Sequence, residues 1–262
     1  MKDIQNTKGD YKFPINQVGV NKIKHPLKIK TKTGEVVTTV GDFSMAVNLD
    51  KDLKGINMSR LPQLLSELAE NEDLIFSGLR SSSYEILDKM AKKAETEDAY
   101  LDFAFDYFLE KEAPVSKHKA LMPYRCQCKS TLEAGEYDFI LSVEVAITAL
   151  CPCSKEISDY SAHNQRGYVE VSIRYDDFIW LEELIELVEE VSSCEVYPIL
   201  KRIDEKHVTE KAYDNPRFVE DIVRLIADKL NQDDRVKWFK VASEHQESIH
   251  PHNAYAVLEK WK

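Results

Sequence analysis

From Tyr137 to Ile147 every second residue is apolar (Tyr137, Phe139, Leu141, Val143, Val145 and Ile147), with Asp138, Ser142 and Glu144 among those between. Successive side chains of an extended chain point to opposite faces of a sheet, so this period predicts a half-buried strand and does not suit a helix. Gly167 onward repeats it, with Val169, Val171, Ile173 and Tyr175 set against Glu170, Ser172 and Arg174. Two such strands in succession predict an antiparallel pair, which a short turn would suffice to join. The connection is instead long and reads A-L-C-P-C-S-K-E-I-S-D-Y-S-A-H-N-Q-R-G from Ala149 to Gly167. Connections longer than the geometry needs are often functional.

Downstream, Asp176 and Asp177 offer N-caps for a run in which Trp180, Leu184, Leu187, Val188 and Val191 recur at helical spacing. Glu182, Glu183, Glu186, Glu189 and Glu190 give that helix a solvated acidic face. Leu200 to Asp214 has no regular period. Asn215-Pro216 then predicts an N-cap and a first-turn proline for a second amphipathic helix carrying Phe218, Ile222, Leu225, Ile226 and Leu230. Val236–Ala242 and Tyr255–Leu258 read as closing strands around E-H-Q-E-S-I-H-P-H-N. The order is β-β-α-α-β-β, an antiparallel sheet with two helices on one face. The first half reads the same way: a hairpin of Val18–Ile29 and Val36–Asn48 through K-T-G-E, helices over Leu61–Leu68 and Tyr84–Ala94, and extended segments Tyr100–Leu109 and Leu121–Cys128. The halves share this architecture without residue-level identity. The expected class is α+β in two domains, residues 1–132 and 133–262, the second carrying most of the motifs.

A net charge of -11 disfavours sequence-independent nucleic-acid binding, which needs a positive surface facing phosphates. No run approaches the ~18 apolar residues of a membrane span. M-K-D-I-Q-N-T-K-G-D-Y-K lacks the apolar core of an export signal, so a cytoplasmic location is expected. In that reducing compartment 5 cysteines are expected as thiols, and clustered ones as metal-binding or catalytic.

Cys151-Pro152-Cys153 and His163 are such a cluster. Thiolate and imidazole suit zinc or ferrous iron, and a catalytic site needs three protein ligands plus water. The plain alternative is a set of small buried loop residues. A second alternative is a structural four-sulfur site with Cys126 and Cys128, although C-x-C is tighter than the usual spacing and both thiols share one strand face, where packing explains them. Cys194 reads as structural. His250 and His252 flank Pro251, preceded by His245 and Glu247, and suit metal ligation or proton transfer. A third, acidic constellation is Asp204-Glu205 in the irregular segment with Glu220 in the second helix, although Glu220, on the apolar-to-polar border of that helix, reads from the residues alone as a solvated charge.

Together, C-P-C-S-K-E-I-S-D-Y-S-A-H-N-Q-R-G (Cys151–Gly167), V-T-E-K-A-Y-D-N-P-R-F-V-E-D (Val208–Asp221) and E-S-I-H-P-H-N-A-Y-A (Glu247–Ala256) resemble the prokaryotic type IB GTP cyclohydrolase family. The resemblance covers the whole chain and is most specific in the second half. It implies two joined tunnelling-fold (T-fold) modules and conversion of GTP and water to 7,8-dihydroneopterin triphosphate and formate, the start of folate synthesis. It implies one divalent metal per site (zinc, manganese or ferrous iron) on Cys151, His163 and Glu205, whose bound water attacks C8 of the purine. Cys151 thus carries both a ligand and a catalytic role. Cys153, His250 and His252 are then catalytic or supporting groups, and Glu220 anchors the guanine, its two carboxylate oxygens matching the N1–H and 2-amino donors. Arg166, Lys201, Arg202 and Arg60 are the candidate cations for the triphosphate. The family also implies a homo-oligomer, a tetramer with sites at subunit interfaces. Within the T-fold group the rivals are a nitrile reductase with a lone cysteine nucleophile and NADPH, and a pterin synthase with three-histidine zinc; the Cys-His-Glu set favours the cyclohydrolase over both. A cyclic-phosphate product, as in an archaeal relative, fits the same motifs. Outside the group stands a non-catalytic zinc-stabilised scaffold.

Overall fold

A computed structural model of the chain describes residues 5, 7–70 and 75–262. The fold is α+β and is built on a large, mainly antiparallel sheet. The chain forms two compact units, Met1–Asp106 with Gln127–Leu141, and Tyr107–Cys126 with Ser142–Lys262. Three long strands, β4 (Ala99–Glu112), β5 (Lys119–Glu133) and β6 (Glu136–Leu150), each contribute residues to both units, and residue 132 lies within β5. Among the described residues no helix is long and apolar enough to cross a membrane.

In the first unit β1 (Ile15–Lys30) pairs antiparallel with β2 (Val36–Leu49), and β2 pairs with β4. The hairpin turns at Gly34, whose φ of 89° is a conformation that favours glycine. The short β3 (Ile75–Phe76) runs parallel to β1. Helix α1 (Arg60–Glu70) buries Leu61, Leu64, Leu65 and Leu68, and α2 (Leu79–Ala94) buries Ile86, Leu87 and Met90. Phe43, Phe76 and Phe103 complete that core, with Phe43 and Phe103 stacked at 5.2 Å.

In the second unit the strand order is β6, β7 (Asn164–Tyr175), β9 (Val236–His245) and β10 (Ala254–Trp261), and a two-residue strand, β8 (Cys194–Glu195), pairs with β6. The alternating residues predicted to be buried are so: Val143, Val145, Ile147, Val169, Val171 and Ile173 are inaccessible to solvent. Helices α4 (Leu181–Val191) and α6 (Val219–Gln232) bury Leu184, Ile185, Val188, Ile222, Val223, Ile226 and Leu230. Each such side chain contributes about 1.5–3 kcal/mol on burial. The connection from β6 to β7 contains a short helix, α3 (Pro152–Ile157), with Pro152 in its first turn, where a missing N–H costs nothing.

Three readings of this half need correction. Leu200–Asp214, expected to be irregular, contains the helix α5 (Arg202–Asp214). It shows no apolar period because its buried residues are only Asp204 and Ala212. Asn215 closes α5 instead of opening α6, which is initiated where Asp221 Oδ2 accepts a hydrogen bond from Phe218 N at 2.9 Å. Trp180, rather than Asp176 or Asp177, stands at the N-cap of α4. In the latter two cases a carboxylate inside the first turn reaches back to the chain entering the helix, which needs no capping residue at the predicted position.

Asp204 carries the placement of α5. Its carboxylate accepts hydrogen bonds from Lys201 N (2.8 Å), Val115 N (2.9 Å), Ser116 N (2.8 Å) and Ser116 Oγ (2.5 Å). Burial by itself raises its pKa, but the bonds from Ser116, Lys201 and Val115 outweigh burial and hold the carboxyl well below its ordinary range. A depressed folded-state pKa adds stability above the unfolded value of 3.8 that is lost as pH falls below it. Asp204→Asn is therefore expected to melt several degrees below the wild type at neutral pH, with the gap closing as pH falls below 3.8. Thermal melts across that range check this; a gap independent of pH contradicts it.

Candidate functional site

Cys151 sits at the C-terminal end of β6, at the N-cap of α3, and its N–H donates to the carbonyl of His163 at 3.2 Å. This one bond clasps both ends of the long connection, so α3 projects as a closed loop instead of splaying the strands. Leu150 continues the anchoring inward, in a buried cluster with Cys194 and Ala212 against which Ala162, Tyr197 and Val208 pack. From α5, the Tyr213 carbonyl accepts a hydrogen bond from Lys155 Nζ, which also lies 4.1 Å from the Tyr213 ring centroid.

Beside this loop the second unit forms a cavity of about 450 Å³. Its walls include Cys151, Cys153, His163, Glu220, His250 and His252, which come from three separate stretches of the sequence. Cys151 and His163 are half-buried, while Cys153, Glu220, His250 and His252 are exposed to the opening. The rings of His250 and His252 stack at 5.0 Å with 14° between their planes.

The remaining candidates lie elsewhere. Glu205, Lys201 and Arg202 are exposed on or just before α5 and do not line the cavity. Arg166 projects from the opposite face of β7 to Gln165, which does line it. Arg60 belongs to the first unit, where its Nη1 donates to the Lys93 carbonyl at 3.1 Å. The cavity's own guanidinium is Arg217, which sequence reasoning missed; its Nε donates to the Val191 carbonyl at 3.1 Å.

Gln165 was also missed, and Glu247 was noted only as preceding the paired histidines. Gln165 Nε2 donates to Glu247 Oε1 at 2.9 Å, and because a carboxylate only accepts, the amide oxygen of Gln165 must face His163 Nδ1, 2.8 Å away. Nδ1 of His163 is therefore the nitrogen that donates to Gln165, which directs Nε2 away from this bond. This carboxylate–amide–imidazole relay is the kind of support that orients a metal-binding histidine. Gln165 lies within the long motif and Glu247 beside the paired histidines, so proximity in sequence was the available signal.

The donor chemistry of Cys151 and His163 fits a divalent metal as far as two ligands go. Among the described residues no group of three or more His, Cys, Asp or Glu side chains is gathered to hold one, and Glu205 stands apart from the cavity. Cys126 and Cys128 are fully buried on β5 and form no such group with Cys151 and Cys153.

Each cysteine is a thiol rather than half of a disulfide. Burial, and then the charge of Glu195, push the Cys194 thiol up to about 11, which makes it inert. Timed alkylation of the native protein is expected to label the exposed Cys153 first and the half-buried Cys151 more slowly, with Cys126, Cys128 and Cys194 protected until unfolding. Peptide mass spectrometry checks the order; early labelling of Cys126 or Cys194 contradicts the packing described.

The model of the family described as type I GTP cyclohydrolase folE2 matches residues 1–256. A GTP cyclohydrolase FolE2 of Nitrosococcus oceani is 45% identical over 262 residues, covering 100% of this chain and 96% of that protein. A GTP cyclohydrolase FolE2 of Geobacter metallireducens is 46% identical, covering 100% and 98%. Among solved structures, urate oxidase from Bacillus subtilis 168 superposes with a TM-score of 0.54 at 9% identity, covering 94% of this chain and 98% of that one. Uricase from Arthrobacter globiformis gives 0.53 at 8%, covering 94% and 92%. These two similarities concern the fold alone and relate the chain to proteins with the tunnelling fold.

Proposed function

The chain belongs to the type I GTP cyclohydrolase FolE2 family, for which type IB is another name, and from that premise we infer that it is a GTP cyclohydrolase whose reaction takes place in the cavity beside α3. It is a hydrolase of folate biosynthesis that consumes GTP. In this reading GTP and water give 7,8-dihydroneopterin triphosphate and formate, in a cytoplasmic enzyme. The observation that carries the choice of site is the convergence of Cys151, Cys153, His163, Glu220, His250 and His252 on one opening.

Glu220 stands in the first turn of α6, where its two carboxylate oxygens accept hydrogen bonds from the N1–H and 2-amino group of guanine. The base is thereby oriented within the cavity. Cys151 and His163, the latter held in orientation by Gln165, are the proposed ligands of a divalent ion (zinc, manganese or ferrous iron); Glu205, the third donor in this reading, stands outside the cavity of the single chain and reaches the ion where copies of the chain meet. Such an ion supplies water acidic enough to be deprotonated near neutral pH. Release of C8 as formate and closure of the pterin ring need several proton transfers, and His250, His252 and Cys153 are the exchangeable groups at the opening.

The triphosphate requires cations. Arg217 lines the cavity, while Arg166, Lys201, Arg202 and Arg60 do not, so in this reading they act where copies of the chain meet. That arrangement accords with tandem β-β-α-α-β-β tunnelling-fold modules, residues 1–132 and 133–262, assembled as a homotetramer with sites at subunit interfaces.

Formate release and pterin fluorescence from GTP, after chelation and re-addition of single metals, test the reading. Wild-type turnover is expected to vanish on chelation and return with one ion, and Cys151→Ala is expected to abolish it. No turnover with any metal in a folded sample would sink GTP hydrolysis by this chain. Undiminished turnover by Cys151→Ala would move the chemistry out of the cavity.

A further inference from the structure

His245 closes β9 at the floor of the cavity, with 2% of its surface exposed. Its Nε2 is buried and has no hydrogen-bond partner among the described residues. A buried imidazole nitrogen left unpaired costs free energy, and such an orphan in a native fold calls for a ligand or a water. The ring is held from below: His245 is in register with Gly167 across the β7–β9 ladder, and a Cβ at Gly167 would come within 2.9 Å of His245 Cδ2 and 2.9 Å of Ile147 Cγ1. Glycine thus provides the floor on which the imidazole lies. Burial pushes the pKa of His245 below the ordinary histidine value, against the opposing fields of Glu247 and Glu220, so the ring is neutral at physiological pH.

We propose that His245 is a base-contacting residue of the GTP site, its Nε2–H donating a hydrogen bond to an acceptor of guanine; this rests on reading the cavity as that site. Once Glu220 has taken the N1–H and one N–H of the 2-amino group, the acceptors of the base left to meet an imidazole are O6, N7 and N3. A neutral imidazole offers one N–H and one bare nitrogen, so contact with any of these requires the proton on Nε2. His245 then serves selectivity, since a buried polar group built to bond the correct base is left unpaired by a base lacking the matching atom.

The test is steady-state kinetics with GTP for the wild type, His245→Phe, His245→Gln and Glu220→Gln. It also uses inhibition constants for 7-deaza-GTP, 3-deaza-GTP and 2-aminopurine riboside triphosphate, which lack N7, N3 and O6 in turn; the last also lacks the N1–H that Glu220 takes, a loss shared by the wild type and the His245 variants. His245→Phe is expected to raise KM for GTP about tenfold, the size of one unmade buried hydrogen bond, and His245→Gln, which keeps an N–H, to recover most of it. The analogue lacking the contacted atom should bind the wild type and His245→Phe equally, while the other analogues bind the variant more weakly. Should His245→Phe not fold, His245→Leu, which also lacks an N–H, takes its place in the same comparison. An unchanged KM in His245→Phe, with a raised one in Glu220→Gln, overturns the proposal and assigns the orphan nitrogen to a water. Weakening that is uniform across GTP and all analogues overturns it in favour of a packing role. An unchanged KM in both variants overturns the placement of GTP in the cavity itself.

Discussion

The antiparallel register of β7 with β9 is the constraint on which the site depends, because it sets Gly167 against His245 and so brings Gln165 to Glu247 across the sheet. Around that pair the two long connections, one from β6 to β7 and one from β9 to β10, open on the same end of the sheet. Their side chains meet although more than half of the second unit's sequence separates them. A slip of one residue would turn Gln165 to the face now held by Arg166 and break the relay that orients His163. The buried alternation of Val169, Val171 and Ile173 makes that slip costly, so core packing and site geometry are enforced by the same hydrogen-bonded ladder.

The treatment of polar groups divides the unit into scaffold and site. Asp204 is fully satisfied, and Glu189 accepts from Lys111 Nζ and from Tyr124 OH at 2.8 Å. These carboxylates are enclosed and their bonds are spent on holding helices in place. Along the cavity the pattern reverses: Glu220, His250 and His252 face the opening, and His245 Nε2 is buried without a partner among the described residues. Groups whose hydrogen bonds are not consumed by the fold are those able to recognise a ligand.

Much of the fold was legible because its elements are strongly periodic. The alternation from Tyr137 to Ile147 and the apolar stripes of α4 and α6 follow from burying one face, which any sequence folding this way must encode. Helix α5 was not legible because its position rests on one buried aspartate bonded to the Val115–Ser116 turn, a tertiary contact that leaves no period. The starts of α4 and α6 were misplaced because backbone capping by Glu183 and Asp221 substitutes for the caps expected further upstream. Among candidate site residues, Cys151, Cys153, His163, Glu220, His250 and His252 meet in one cavity, and the motifs that carried them are what marked them out. Arg217 lay inside such a motif without distinguishing itself, since a guanidinium next to a proline reads as a surface charge.

The sequence by itself determined the strands, the amphipathic helices and the chemical identity of the groups at the two histidine- and cysteine-bearing connections, because those depend on local period and residue type. Only the tertiary structure decided which groups share a cavity, that the Gln165 amide faces Nδ1 of His163, that Glu205 and Arg166 stand apart from the opening, and that His245 Nε2, above Gly167, has no partner among the described residues. Those outcomes depend on strand register and on hydrogen bonds between segments far apart in the chain, and neither is written in the spacing of residues along it.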